Sequence, residues 1–153
     1  MADVNHDSQV ESSAAPLLPV LHVADAHVLA RLGRMLRHVT LAQNAEGLRV
    51  ILLTNDSAAV ADLDGTPVEC HWTPHICGWL AWRRPRLLLE SLYPRPQIVH
   101  LWGASCMRSV GEPALHAGIP VLAHALSTHD LARFARYGDQ PHLYLAAGCN
   151  GLA

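Results

Sequence analysis

From Leu17 onward the hydrophobic positions fall into two kinds of run that alternate along the chain. Short, almost uninterrupted apolar stretches occur at Pro19–Ala24, Arg49–Thr54, Val68–Trp72, Gln97–Leu101, Ile119–Ala125 and His142–Ala147. Runs of this length and character predict strands buried on both faces. Longer segments with apolar residues at helical spacing separate them. The clearest spans Ala26 to Glu46, where Val28, Leu29, Leu32, Met35, Leu36 and Val39 line one face. Asp25 suits its N-cap and Gly47 the position after its C-cap. Gly33, inside the helix, suggests a close approach to a strand. Ser57–Leu63 predicts a short helix that closes at Asp64-Gly65. Ile76–Tyr93 is helical in character but divided at Pro85, because proline disfavours α geometry at Arg84. Ser105–Ala117 predicts a helix weakened in its first half by Gly111 and Pro113. Ser127-Thr-His-Asp130 opens the last helix, which runs to Tyr137, with Asp at the third position of a capping box.

Strands that are apolar throughout and separated by helices imply a parallel sheet covered on both sides. The expected fold is α/β: a doubly wound, Rossmann-like parallel sheet of about six strands with helices on both faces. It occupies residues 17–153 as one domain, behind a polar, solvated tail at 1–16. Ligands of such folds sit beyond the carboxyl ends of the strands, where the strand order reverses. The loops of interest are therefore Asp25–His27, Trp102–Cys106 and Leu126–Asp130.

Composition changes this picture little. Half the residues are hydrophobic and 16% are charged, which excludes a largely disordered chain. A net charge of -2 gives no electrostatic footprint for nucleic acid. All eleven basic residues are Arg, a bias that points to GC-rich coding rather than to chemistry, and the eleven His admit the same reading or an enriched polar site. Cys70, Cys77, Cys106 and Cys149 are far apart and form no C-x-x-C pair, so a reduced chain with buried thiols is expected. The first fifteen residues lack the basic and apolar regions of a secretory signal. A cytoplasmic location follows, and Trp79, Trp82, Arg83, Arg84 and Arg86 form either a peripheral contact with the inner face of the membrane or a helix with one buried face.

Individual motifs exclude more than they establish. The turn after the first strand, Asp25-Ala-His-Val28, has no glycine, and no Walker A sequence is present, so no backbone cradle for a dinucleotide is encoded there. Neither a cofactor nor a metal is expected. Cys70, His71, His75 and Cys77 are metal-capable, but adjacent strand residues point to opposite faces and the spacing matches no familiar zinc site. Gly103-Ala-Ser105-Cys-Met107 lacks the second glycine of a nucleophile elbow, which leaves Ser105 as a helix N-cap. His100 reads as a buried, satisfied strand residue or as a group near the crevice. Trp102 offers a flat face and an N–H donor to a sugar or lipid. His129 is either a solvent-facing helix residue or a donor to a hydroxyl or phosphate oxygen.

Three segments together resemble a known family. Val20-Leu-His-Val23, Gln97-Ile-Val-His-Leu-Trp102 and Ala117-Gly-Ile-Pro-Val121 are similar, in order and interval, to strands of the N-terminal domain of GT-B glycosyltransferases of the family 4 group. Gln97 stands where that group usually has Asp. Asp25-Ala-His27 replaces its usual glycine pair, and its histidine near the reaction centre falls at about Leu126. The resemblance implies the acceptor-side half of a retaining enzyme that moves a sugar from a nucleotide-sugar donor to a carbohydrate or lipid acceptor. The implied C-terminal GT-B domain, with its E-x7-E element, lies outside these residues, so the isolated chain is expected to be inactive. The substrate-binding residues implied are Asp25, His27, Trp102, Ser105, Ser127 and His129. A non-catalytic Rossmann-like binding or scaffold domain is the alternative.

Overall fold

The computed structural model describes residues 18–77, 89–92 and 94–147. The tail at 1–16, most of the segment Ile76–Tyr93, the Trp79–Arg86 patch and Cys149 lie outside the described residues. Among the described residues there are six strands: β1 (Pro19–Ala24), β2 (Arg49–Thr54), β3 (Glu69–Trp72), β4 (Ile98–Trp102), β5 (Val121–Ala125) and β6 (Leu143–Ala147). They form one sheet in the order β3-β2-β1-β4-β5-β6, and every neighbouring pair is parallel. The order reverses between β1 and β4. This is the doubly wound Rossmann-like arrangement expected from the alternating runs.

Helices whose bounds fall wholly within the described residues are α1 (Ala26–Ala45), α2 (Ser57–Asp62), α3 (Glu112–His116) and α4 (Thr128–Phe134). The strand side chains alternate between two apolar layers. Leu21, Val23, Ile51, Leu53, Val99, Leu101, Val121 and Ala123 meet Met107, Val110, Ala114 and Phe134 on one side. Ala24, Val50, Leu52 and Trp102 meet Val28, Leu29 and Leu36 of α1 on the other. Burial on both faces explains why these strands read as continuous apolar runs. β6 differs. It is an edge strand, and its Tyr144 and Leu145 are both exposed.

Local chemistry sets the ends of α1. Asp25 accepts the Val28 N–H at 2.8 Å, satisfying one of the free donors of the first turn. At the other end Gly47 takes φ +85°, the Leu48 N–H bonds the Gln43 carbonyl and the Gly47 N–H bonds that of Asn44. That is a Schellman closure. Gly33, by contrast, makes no close approach: a Cβ there would meet nothing within 4 Å.

Three expected elements are altered. The helix over Ser105–Ala117 is a π-helical turn, Met107–Gly111, followed by α3. Pro113 has no N–H to offer Ser109 and its ring crowds that carbonyl, so the backbone widens ahead of it. Cys106, not Ser105, precedes the turn, and it makes no side-chain cap. The last helix stops at Phe134 and tightens to a 3-10 turn over Ala135–Tyr137. β5 begins at Val121 rather than Ile119, after Pro120, which has no N–H for a ladder bond.

Candidate functional site

The carboxyl ends of β1 and β4 are neighbours, yet the chain leaves them toward opposite faces. Between the two exits lies the crevice at the switch in strand order. On the β1 side, Asp25 holds the Val28 N–H, and Asn55, from the loop after β2, accepts the Ala26 N–H at 2.8 Å. Two donors at the start of α1 are thus already used by the protein's own side chains. One of those acceptors is a carboxylate. A phosphate would meet negative charge where a dinucleotide fold presents free N–H groups.

On the β4 side, Gly103 turns the chain with φ +83° and donates its N–H to the His124 carbonyl at 2.9 Å. A Cβ there would meet Val28 Cγ2 at an ordinary contact distance of 3.4 Å, so it is the conformation that calls for glycine. Asp130 ties this turn to the loop after β5. Its Oδ1 accepts the Ala104 N–H at 3.0 Å, and its Oδ2 accepts the Leu126 N–H and the Ser127 hydroxyl, each at 3.1 Å. Ser127 Oγ in turn accepts the Asp130 N–H at 3.1 Å. This is the anticipated capping box with one difference. The third-position side chain bonds the N–H before the cap residue as well as the chain after β4.

Sulfur fills the floor of the crevice. After β3 the Thr73 N–H still bonds the Thr54 carbonyl beside β2, and the turn that follows brings Cys77 against Asp25 and Cys106, at the ends of β1 and β4. Cys77 Sγ lies 3.4 Å from Cys106 Sγ and 3.8 Å from Asp25 Oδ2, and Ser105 Oγ lies 3.6 Å from Cys106 Sγ. Cys77 is half-buried and Cys106 fully buried. The hydrogen bond between the two thiols lowers the pKa of Cys77, with help from Ser105 and against burial and the Asp25 carboxylate. The same bond, together with burial, raises that of Cys106 well above the ordinary thiol range.

The residues singled out from sequence divide three ways. Asp25 and Ser105 come together in the crevice, and Ser127 borders it through Asp130. His27 and His129 are exposed on the first turns of α1 and α4. Trp102 is turned away: it is 3% exposed and its indole N–H donates to His22 Nδ1 at 3.1 Å. It cannot offer a flat face to a ligand beyond the strand end, because strand alternation points it at α1.

Trp102 belongs instead to a row of rings across the α1 face of the sheet. His22 and His100 are cross-strand partners, as are Trp102 and His124. The His100 ring stacks on Trp102 at 4.4 Å, and Trp102 on His124 at 5.1 Å. The indole donor requires His22 Nδ1 to be bare, so Nε2 carries the proton and donates to Gln43 Oε1 at 2.6 Å. Burial lowers the pKa of His22, against the Gln43 bond. Burial lowers that of His100 to about 3, with repulsion from His22 and His124 adding to it. His100 is buried but not satisfied: its Nε2 has no hydrogen-bond partner. Cys106 and Asp130 fall within the loops that the fold rule singled out, though neither was named as a site residue, whereas Cys77 lies outside those loops and no sequence signal joined it to them.

Elsewhere, a cavity of about 650 Å³ lies near the amino ends of β4 and β5, lined by Arg95, Arg108, Glu112 and His116 among others. Among the described residues no group of three or more His, Cys, Asp or Glu side chains is placed to hold a metal ion. None of the described helices is long and apolar enough to cross a membrane.

No protein-family model and no curated protein matches the chain. Among solved structures it is similar to a de novo designed protein with a P-loop NTPase fold, determined by solution NMR. The likeness has 16% sequence identity and a TM-score of 0.47, and covers 86% of this chain and 82% of the design.

Proposed function

We propose that the chain is the acceptor-side, N-terminal-type domain of a retaining GT-B glycosyltransferase. One observation carries the reading. The three segments that resemble the family 4 group lie on, or lead into, the adjacent strands β1, β4 and β5, and the loops that follow them converge at the switch in strand order. The self-occupied start of α1 fits the same division of labour. A donor diphosphate is poorly served there, and an uncharged acceptor hydroxyl suffers no repulsion from Asp25.

The reaction implied joins an acceptor oxygen to the anomeric carbon as the bond from that carbon to the diphosphate breaks. The residues of this chain orient the acceptor. Asp25 Oδ2 accepts a hydrogen bond from the incoming hydroxyl, and Ser105 and Ser127 supply short polar contacts beside it. His27 and His129, at the rim, reach more distant hydroxyls. Stabilisation of the departing diphosphate falls to the partner domain, and closure of the two halves excludes water.

The second reading, a non-catalytic Rossmann-like binding or scaffold domain, is favoured by the engagement of both Asp130 oxygens and of Asp25 Oδ1 in internal bonds. Amide-resolved NMR titration separates the two. Methyl glycosides and a short-chain glycerolipid, added to the full chain, are expected to shift the amides of Asp25, Ser105 and Ser127 in at least one case. Asp25→Asn is expected to weaken that response several-fold without loss of fold. An unperturbed crevice with every probe leaves the scaffold reading. Turnover of a nucleotide sugar by this chain alone contradicts the proposed division of labour.

A further inference from the structure

The crevice holds a pair of thiols to which the sugar-transfer reading assigns no role. Cys77 and Cys106 are 29 residues apart in sequence, and their sulfurs are in contact at 3.4 Å. The two differ in access. Cys77 is half-buried, whereas Cys106 is 1% exposed and lies at the head of the π-helical turn. A carboxylate oxygen of Asp25 is 3.8 Å from Cys77, and the Ser105 hydroxyl is 3.6 Å from Cys106. Cys70, by contrast, lies on β3 and bonds the Val68 carbonyl, away from the pair.

We propose that Cys77 and Cys106 are a reversible dithiol–disulfide site that reacts with hydroperoxides, Cys77 attacking and Cys106 resolving. The inference is independent of the sugar-transfer reading. In the first step the Cys77 thiolate attacks one peroxide oxygen and the O–O bond breaks. Cys77 becomes a sulfenic acid, and the departing alkoxide or hydroxide takes up a proton. In the second step the Cys106 sulfur attacks the Cys77 sulfur. The S–S bond forms as the S–O bond breaks, and water leaves with the Cys106 proton. In sum, two thiols and one organic hydroperoxide give one disulfide, one alcohol and one water, and with hydrogen peroxide the alcohol is replaced by a second water. The two electrons come from the sulfurs and reduce the peroxide.

Several features support the assignment of roles. The accessible sulfur is the one that a small oxidant reaches first. Its pKa is also the lowered one of the pair, which raises its thiolate fraction near neutral pH. The buried partner is already in contact with it, so the second step needs the sulfurs to close from 3.4 Å to a bond of about 2.05 Å. Asp25 is placed to receive a proton during ionisation. The link would pin the chain after β3 to the start of the π-turn after β4, across the crevice floor.

The test uses the full chain with its four cysteines. Hydrogen peroxide is added under conditions that oxidise free cysteine, followed by thiol counting, intact mass and peptide mapping without reductant. The expected result is a loss of two thiols, a mass lower by about 2 Da and one cross-linked peptide joining Cys77 to Cys106, all reversed by dithiothreitol. In C106S, dimedone is expected to capture a sulfenic acid on Cys77. C70S and C149S are expected to oxidise as the parent does. Four surviving thiols overturn the proposal, as does a cross-link through Cys70 or Cys149. Because the parent chain supplies the main readout, failure of a variant to fold leaves the test intact.

Discussion

The histidines of β1 and β4 occupy positions that an aliphatic side chain would fill more simply. Their cost is visible in His100, whose Nε2 is buried without a partner. His22 avoids that cost only through two specific bonds, from Trp102 and to Gln43. Trp102→Phe keeps most of the apolar area and removes the indole donor, leaving Nδ1 of His22 buried and bare. The expected loss is about 1–3 kcal/mol in urea unfolding, the usual penalty for an orphaned buried acceptor. Acid acts on the same row. Both histidines have pKa values below the unfolded value of about 6.5, so in the window beneath it the unfolded chain binds more protons than the folded one. Stability is therefore full above pH 6.5 and falls as the pH drops toward about 3, where His100 itself titrates. Each histidine held neutral contributes a slope of about 1.4 kcal/mol per pH unit. Urea midpoints measured between pH 7.5 and 4 read this directly, and His100→Leu is expected to flatten the curve. An unchanged slope in that variant would assign the acid sensitivity to other groups.

Elements whose local signals agree were legible from residues alone. β1 and β2 have the boundaries their apolar runs suggest, and α1 starts at Asp25 and closes at Gly47, because cap chemistry and periodicity point the same way. The π-helical turn was not legible. Gly111 and Pro113 weaken the α reading without saying what replaces it, and the space that Gly111 leaves for the Met107 and Leu101 side chains becomes visible only once the turn is packed on β4. The ring row was hidden for a different reason. A single His inside an apolar run looks alike whether or not another His faces it, and only the β1–β4 register pairs His22 with His100. Gly33 is the case where sequence suggested too much. No strand approaches it, and it borders a cavity of about 260 Å³ between α1 and α2, with Leu36, Ala59 and Leu63. Gly33→Ala therefore adds a methyl group in open space and removes backbone freedom from the unfolded chain. The expected change is a gain of about 0.5–1 kcal/mol in stability, seen as a higher urea midpoint with unchanged slope. Destabilisation would mean that the close approach exists after all.

At the scale of the whole molecule, the strand order does what no local segment can. It brings the loops after β1, β3, β4 and β5 to one edge, so that Asp25, Cys77, Cys106 and Asp130, distant in sequence, share a crevice. That is why Asp25 and Ser105 could be named from a fold-level rule while the thiol pair could not: Cys77 follows a strand at the sheet edge, and its return to the centre depends on the path taken after β3. The same topology normally presents a phosphate to the first helix of the fold. Here the Asp25 carboxylate and the Asn55 amide oxygen have taken the Val28 and Ala26 N–H groups, and the turn carries no glycine to let a ligand approach the backbone. A ligand at one hundred times its dissociation constant stabilises a protein by about 2.7 kcal/mol. Millimolar NAD or ADP is accordingly expected to leave the thermal midpoint of the chain unchanged, whereas a nucleotide site of ordinary micromolar affinity would raise it by several degrees. Asp25→Ser retains a cap on α1 and removes the charge, so it tests the electrostatic part of the argument separately. If that variant gains a nucleotide-dependent shift, the carboxylate excludes phosphate from the crevice. If it does not, the missing glycine turn is the stronger barrier.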